Sequence, residues 1–160
     1  MNNQNNNHDS STTLIKAGWR EWASLPDLGI DRIEVKVDTG ARTSALHATD
    51  IHIFEKNNET WVKFNAVVER GDDENDSVAV ECPLVEKREV RSSNGDTEIR
   101  PTISTTLAIG GLCYKIIITL TNRGDMRFRM LLGREALKKR FLVDSSTSHI
   151  CNHSNNLELP

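Results

Sequence analysis

The chain has 160 residues, a net charge of −3 and 37% hydrophobic side chains, which fits one domain with a modest core rather than two domains. No apolar run reaches the roughly 18 residues that span a membrane, and no basic and then apolar leader is present, so we expect a cytoplasmic protein. Three cysteines without a CxxC pair favour free thiols over a disulfide framework or a cysteine zinc cage.

The two ends of the chain are rich in polar residues, mainly Asn and Ser. Such segments bury too little apolar surface to offset the entropy lost on ordering. We therefore expect a disordered N-terminal tail over residues 1–12, a folded domain over residues 13–146 and a flexible C-terminal tail over residues 147–160.

Short or alternating apolar runs within the folded part predict β-strands. In chain order the strands are Ile33–Val37, Ile51–Phe54, Trp61–Val68, Val78–Val80, Ile103–Ile109, Tyr114–Leu120 and Phe128–Leu132. Pairs that favour hairpin turns lie between them, at Asn57-Asn58, Gly71-Asp72, Asn94-Gly95 and Gly110-Gly111. The pattern predicts an all-β, or mainly β, barrel or sandwich.

One short helix is expected over Arg134–Phe141, because Leu137 and Phe141 share a helical face and strong helix formers fill the rest. The charges are unevenly placed along the chain. Residues 69–76 form an acidic run typical of an exposed loop, whereas residues 115–140 are strongly basic. A polyanionic partner would meet the basic end first.

The tripeptide Asp38-Thr39-Gly40 directly follows the strand Ile33–Val37. Alternation along a strand places Asp38 on the face opposite the apolar side chains, at the point where the strand ends. Gly40 allows a close approach of the backbone to a substrate. The simpler interpretation is a β-turn with Asp38 as an Asx cap and no catalysis.

Three motifs together resemble those of the bacterial retropepsin-like aspartic peptidases. They are the run from Val37 to Ala48, the Asp-Met-Arg stretch at residues 125–127, and Leu131-Leu132-Gly133-Arg134. The resemblance spans roughly residues 15–144. Members of this family are often labelled ATP-dependent zinc proteases, and they are associated with ATP-grasp peptide ligases such as RimK.

The resemblance implies a retropepsin-like β-barrel that works as a homodimer on peptide substrates. Asp38, Thr39 and Gly40 would be catalytic, with the two Asp38 carboxylates sharing one proton and activating water. A hairpin over residues 90–103 is the candidate flap. The candidate substrate-binding residues are Ala41, Arg42, Asn94, Gly95, Arg127 and Arg134.

Arg42 departs from the common retroviral pattern, in which the residue after Ala is acidic or an amide. It is expected either to hold a substrate carboxylate or to pair with Glu135. Arg127 and Arg129 alternate with apolar residues, which puts both on one strand face. That face is either simply solvated or in contact with substrate.

The family labels for zinc and ATP have no matching motif in this sequence, since neither HExxH nor GxxxxGK occurs. Potential metal ligands are present as the pair His47 and His52 and in the run from His149 to His153, but their spacing does not build a tetrahedral site. We expect no metal and no cofactor. Any role of ATP is expected to come through a partner ligase.

Two function classes therefore stay open from the sequence. The first is an aspartic endopeptidase, acting on peptide amides such as ligase-added acidic tails. The second is a non-catalytic peptide-binding module with the same fold. Nucleic-acid binding is disfavoured, because the chain is acidic overall and the basic end has few interleaved aromatic residues.

Overall fold

The computed structural model describes residues 13–68, 77–91, 95–122 and 127–152. In these ranges the chain forms one short α-helix, α1 (Arg134–Leu137), one turn of 3-10 helix (Pro26–Leu28), and eleven strands: β1 (Ile15–Gly18), β2 (Arg20–Leu25), β3 (Ile30–Val37), β4 (Ser44–Lys56), β5 (Glu59–Val67), β6 (Ser77–Pro83), β7 (Glu86–Arg91), β8 (Thr97–Ile109), β9 (Leu112–Thr121), β10 (Met130–Leu132) and β11 (Phe141–Asp144). No helix in the described ranges is long and apolar enough to cross a membrane.

Six of the strands close into a barrel, in the order β10, β3, β2, β8, β9 and β4. The ring closes because β10 pairs with β3 on one side and with β4 on the other. The β3–β10 and β4–β9 pairings are parallel, while β2, β3, β8 and β9 meet their other neighbours in antiparallel pairs. The expected all-β, retropepsin-like fold is confirmed.

Alternation along the strands fills the barrel. In β3 the side chains of Ile33, Val35 and Val37 are buried, while Glu34 and Lys36 are partly exposed, as a period of two requires. Other large side chains that are almost fully buried come from every side of the ring: Leu25, Leu46, Ile103, Leu107, Ile118, Leu120, Met130 and Leu132.

β4 is 13 residues long and extends past the barrel into a second layer of strands. Its first residues pair with β9 in the barrel, and its second half pairs with β5, which in turn pairs with β6. The turn between β4 and β5 lies at Asn57 and Asn58, with φ of 51° and 64°. This turn and the Gly110-Gly111 turn between β8 and β9 were both predicted from the sequence. The predicted Gly71-Asp72 turn lies outside the described residues.

β7 and the first part of β8 form an antiparallel hairpin, from the pair Glu86 and Thr102 to the pair Arg91 and Thr97. The hairpin expected over residues 90–103 is therefore present, although its paired strands begin earlier, at Glu86. Of its expected turn residues, Gly95 is exposed with φ of 89°, whereas Asn94 lies outside the described residues.

The predicted helix over Arg134–Phe141 is too long. α1 ends at Leu137, because Lys138 adopts an extended ψ of 130° and Lys139 has φ of 66°. Phe141 then begins β11, which pairs in parallel with β1. Leu137 and Phe141 are both buried, as their apolar character requires, but one is buried from a helix and the other from a strand.

The C-terminal tail was expected to begin at residue 147, and residues 147–149 make backbone contacts with the start of the domain. The main chain there is tied to β1 and β2: the Thr147 carbonyl accepts a bond from the Trp19 N–H at 2.9 Å, and the His149 N–H donates to the Arg20 carbonyl at 2.9 Å. Gly18 permits this approach, since a Cβ there would clash with the Thr147 carbonyl. Cys151 is fully buried.

A buried carboxyl group fastens this segment. Glu21 has no exposed surface, and its Oε1 accepts bonds from the backbone N–H groups of Gly18 at 3.0 Å, Ile150 at 2.7 Å and Cys151 at 3.1 Å. Buried backbone N–H groups need such acceptors. Glu21 therefore joins residues 150–151 to the barrel.

Glu21→Ala should lower the free energy of unfolding by about 3 kcal/mol, because it leaves several buried N–H groups without an acceptor. Amide hydrogen exchange at Ile150 and Cys151 should accelerate at the same time. Urea unfolding and exchange measurements check both effects. Glu59→Ala, at an exposed strand position, is the matched control. Equal stability of the two variants would contradict the assigned role of Glu21.

Candidate active site

The Asp38 carboxylate lies at the end of β3, and its direction is set by its own turn. The Asp38 N–H donates to the Leu132 carbonyl at 2.9 Å, which continues the pairing of β3 with β10. Asp38 Oδ1 accepts the Gly40 N–H at 3.0 Å, and the Ala41 N–H donates to the Asp38 carbonyl at 3.2 Å. The carboxylate is half-buried, and the described part of the chain donates no hydrogen bond to its Oδ2.

Gly133 lets the second motif pack directly behind this turn. Its N–H donates to Ser44 Oγ at 3.1 Å, and a Cβ at this position would lie 2.6 Å from the carbonyl carbon and oxygen of Thr43. Real Cβ atoms essentially never come this close to backbone. The Leu-Leu-Gly motif therefore needs glycine because of contact, since its φ of −88° is open to any residue.

Hydrogen bonds from the start of α1 fix the rest of the Asp38 loop, residues 39–42. The backbone N–H groups of Arg134 and Glu135 donate to the carbonyls of Ala41 at 2.8 Å and Arg42 at 3.1 Å. The guanidinium of Arg134 donates through Nη1 to the Thr39 carbonyl at 3.0 Å. These three bonds hold residues 39–42 in one conformation.

Arg42 approaches Glu135, with 3.6 Å between Nε and Oε1. The side chains are 77% and 60% exposed, so the pair contributes at most about 1 kcal/mol to stability. Of the two roles expected for Arg42, pairing with Glu135 is thus observed. The pair is weak enough to leave Arg42 open to a substrate carboxylate.

The structure brings six of the predicted site residues together: Asp38, Thr39, Gly40, Ala41, Arg42 and Arg134. Thr39 is exposed, and its hydroxyl makes no hydrogen bond to the described residues of this chain. Arg127 is not joined to the loop among the described residues. Its guanidinium lies 5.9 Å from the centre of the Phe128 ring.

A cavity of about 700 Å³ opens beside this loop. Its rim includes Arg42, Thr43 and Ser44, and its other walls come from β7, β8, β9 and α1. Asp38 itself is not part of the wall. The sequence indicated the basic character of this region, but it did not single out the wall residues Arg88, Tyr114 and Arg140, which come from three separate parts of the chain.

Of the residues considered as metal ligands, His149 and Cys151 contact other groups of the chain, and His153 lies outside the described residues. His149 Nε2 lies 2.7 Å from Glu34 Oε2, and its ring stacks on Trp22. Burial raises the pKa of the Cys151 thiol, with Glu21 adding to the effect. His47 is buried and His52 is exposed. Within the described ranges, no three potential ligand side chains come together.

The model of the RimB-like family, the retropepsin-like aspartic endopeptidase RimB, matches residues 16–154 of this chain. The chain belongs to the RimB-like family. The resemblance derived from the Asp38 and Leu131 motifs is thereby confirmed, and the family match extends past both motifs to nearly the whole described chain.

Curated relatives of this RimB-like chain carry a different name. "Probable alpha-L-glutamate ligase" proteins from Shewanella pealeana and Parasynechococcus marenigrum are 39% and 44% identical to it, over 89% and 86% of the chain. The match covers only 31% and 29% of those relatives, so the chain spans less than a third of their length.

A solved structure has the same fold. A Legionella pneumophila protein described as having unknown function superposes with a TM-score of 0.69 at 25% identity, over 86% of this chain and 98% of that one. Nearly all of that solved chain therefore matches this fold.

Gly133→Ala should lower the free energy of unfolding by about 3 kcal/mol, because the added methyl group meets backbone that cannot move without distorting the Asp38 loop. Ser44→Ala, which only removes the acceptor of the Gly133 N–H, should cost about 1 kcal/mol. Chemical denaturation of both variants checks the order. A neutral effect of Gly133→Ala would show that the close packing is not required.

Tyr114 offers a pH test of the cavity wall. Burial raises its pKa from 10.0 to about 12, although Arg140 acts in the opposite direction. Because the raised value favours the neutral phenol in the fold, its contribution to stability should be complete below pH 10 and be lost as the pH rises to about 12. Tyr114 is the one tyrosine of the chain, so tyrosinate absorbance reports it alone. A tyrosinate titration midpoint near pH 10, in protein that keeps its native circular dichroism, would contradict the raised pKa of Tyr114.

Proposed function

We propose that this chain is an aspartic endopeptidase of the retropepsin type, active as a homodimer. The observation that carries the proposal is the Asp38 carboxylate, held by the Gly40 N–H at 3.0 Å at the end of a barrel strand and braced by the Leu132-Gly133 segment. Membership of the RimB-like family supports it.

The reaction needs two carboxyl groups, and each chain supplies one at this loop. A twofold axis through the loop places the same residue of two copies together, since the surface of a symmetric dimer must match itself. The exposed Thr39, whose hydroxyl has no partner among the described residues, is then available to hydrogen-bond across the axis. Both features favour completion of the site by a second copy.

In the assembled pair, the two Asp38 carboxyl groups lie too close for both to be charged, so they hold one proton between them. The ionised group takes a proton from a bound water, which attacks the scissile carbonyl carbon. The protonated group donates a hydrogen bond to the carbonyl oxygen and later assists the departure of the amine. The hairpin of β7 and β8 is the proposed flap that excludes water from this reaction.

The proposed substrates are peptides with acidic residues, such as the tails that a glutamate ligase adds. Two observations favour this class. The relatives named as alpha-L-glutamate ligases contain a region 39–44% identical to this chain, and the residues around the loop carry several arginines. The same names support the proposed functional link to an ATP-grasp ligase, and an effect of ATP would come through that ligase.

A peptide-binding module without catalysis is the second candidate, because the fold and cleft do not by themselves require turnover. The specific observation in its favour is the name of the relatives, in which a domain of this kind accompanies a ligase. Such a module would keep its peptide affinity when Asp38 is replaced.

Asp38→Asn should lower kcat on an oligoglutamate-tailed peptide by about 10³-fold or more, because an amide can neither take nor supply the proton. The wild-type rate should depend on pH as a bell, and specific activity should fall on dilution as dimers separate. Mass spectrometry of the products measures the turnover.

Glu89→Gln, at an exposed position of β7, is the matched change of carboxylate to amide. Turnover that survives in Asp38→Asn would refute the aspartic mechanism. Loss of wild-type turnover with a chelator and its recovery with zinc would replace it with a metal mechanism. Peptide binding without cleavage at any pH would favour the binding module.

A further inference from the structure

The cavity beside the Asp38 loop has a strongly uneven charge. Among the described residues, four cationic side chains line it, against the single carboxylate of Glu135: Arg42, Arg88, Lys115 and Arg140. Its volume of about 700 Å³ falls in the range of cavities that hold ligands. A wall with this excess of positive charge favours an anionic occupant.

Arg140 is the most restrained of these four cationic residues. Its backbone is fixed, since its N–H donates to the Leu137 carbonyl at 3.0 Å and its carbonyl accepts the Ile15 N–H at 2.9 Å. Its guanidinium lies 3.9 Å from the centre of the Tyr114 ring, and the Tyr114 hydroxyl donates to the Ala136 carbonyl at 2.6 Å. Arg140 has no carboxylate partner among the described residues, so its guanidinium donors are available to a ligand.

Two of the other cationic residues, Lys115 and Arg88, are partly neutralised by carboxylates outside the cavity. Lys115 Nζ lies 2.9 Å from Asp27, and Arg88 Nε lies 2.5 Å from Glu86. Neither acid belongs to the wall. These two pairs are exposed and therefore weak, so a ligand carboxylate can add to them without first breaking a buried interaction.

The cavity lies within reach of a peptide in the active site. Arg42 follows Asp38 by four residues, and four residues span at most about 14 Å. An extended substrate covers the same distance in about four residues. A side chain bound in the cavity thus belongs to a substrate residue a few positions from the scissile bond.

We propose that this cavity is a specificity subsite for carboxylate side chains of the substrate, with Arg140 as its fixed anchor and Arg42 at its entrance. The inference rests on the proposed peptidase function, which it deepens by naming the residues that select acidic chains. Planar guanidinium groups bind carboxylates through paired N–H donors, and a guanidinium stacked on an aromatic ring loses little freedom on binding.

Glu135 opposes the binding of a substrate carboxylate in this subsite. In the described part of the wall its carboxylate is the one acid. It lies 3.6 Å from Arg42, where a substrate carboxylate would compete with it. Removal of the Glu135 charge should strengthen the binding of acidic peptides, whereas removal of a cation should weaken it. Opposite effects of two neutralising changes are hard to explain by a merely structural role.

The test measures the binding of a fluorescent oligoglutamate peptide and an oligoglutamine peptide of equal length to the full chain carrying Asp38→Asn, which separates binding from turnover. Arg140→Gln should weaken oligoglutamate binding about fivefold and Glu135→Gln should strengthen it, because each change alters one charge contact. Oligoglutamine binding should stay unchanged. Arg140→Lys should restore only part of the affinity, because it keeps the charge but loses the paired N–H donors of the stacked guanidinium.

Lys138→Gln is the matched control, because it removes an exposed charge two residues from Arg140 that is not part of the wall. If Arg140→Gln fails to fold, Arg88→Gln tests the same cavity from another strand. Equal affinity for both peptides, or an equal loss in the Lys138→Gln control, would overturn the subsite.

Failure of the subsite and failure of the proposed function give different results. Wild-type protein that cleaves oligoglutamate and oligoglutamine peptides equally well, with no effect of Arg140→Gln on KM, keeps the peptidase and removes the subsite. Binding that depends on Arg140 and Glu135, without cleavage by the wild type, keeps the subsite and removes the peptidase.

Discussion

The site depends on one interlocking contact, the insertion of β10 between β3 and β4. The strand pairs in parallel with β3 and antiparallel with β4, so three residues close the barrel. Gly133 follows, and its lack of a Cβ leaves room for the Thr43 carbonyl group behind it. α1 starts where its first N–H groups reach the Ala41 and Arg42 carbonyls. The position of Asp38 is a consequence of barrel closure.

Much of this arrangement was predictable because local sequence patterns encode it. β3 has a clean alternation, and two hairpin turns have Asn or Gly pairs. The run from Val37 to Ala48, together with Leu-Leu-Gly-Arg, is long enough to indicate the family. β2 was missed because one of its inward positions is Glu21, which hides the period. β7 was missed because it is mostly charged and pairs at an edge with β8.

Other features depend on long-range contacts that no local pattern encodes. α1 stops early because Phe141 is needed in the β1–β11 pair, and the order of residues 147–152 depends on Glu21, which lies far away in sequence. The cationic cavity is similar, since Arg42, Arg88 and Arg140 are brought together by the barrel. The proposed catalytic and selecting groups thus lie on the same barrel.

The central claim is that catalysis needs the Asp38 carboxyl groups of two chains together. Mixing wild-type and variant subunits tests this claim most directly. Wild-type protein is mixed with a growing excess of Asp38→Asn protein, exchange is allowed to finish, and peptide cleavage per wild-type chain is measured. The account predicts that this activity falls in proportion to the wild-type fraction, to about half in an equal mixture, because mixed dimers lack one carboxylate. Activity per wild-type chain that stays constant at every ratio would contradict it.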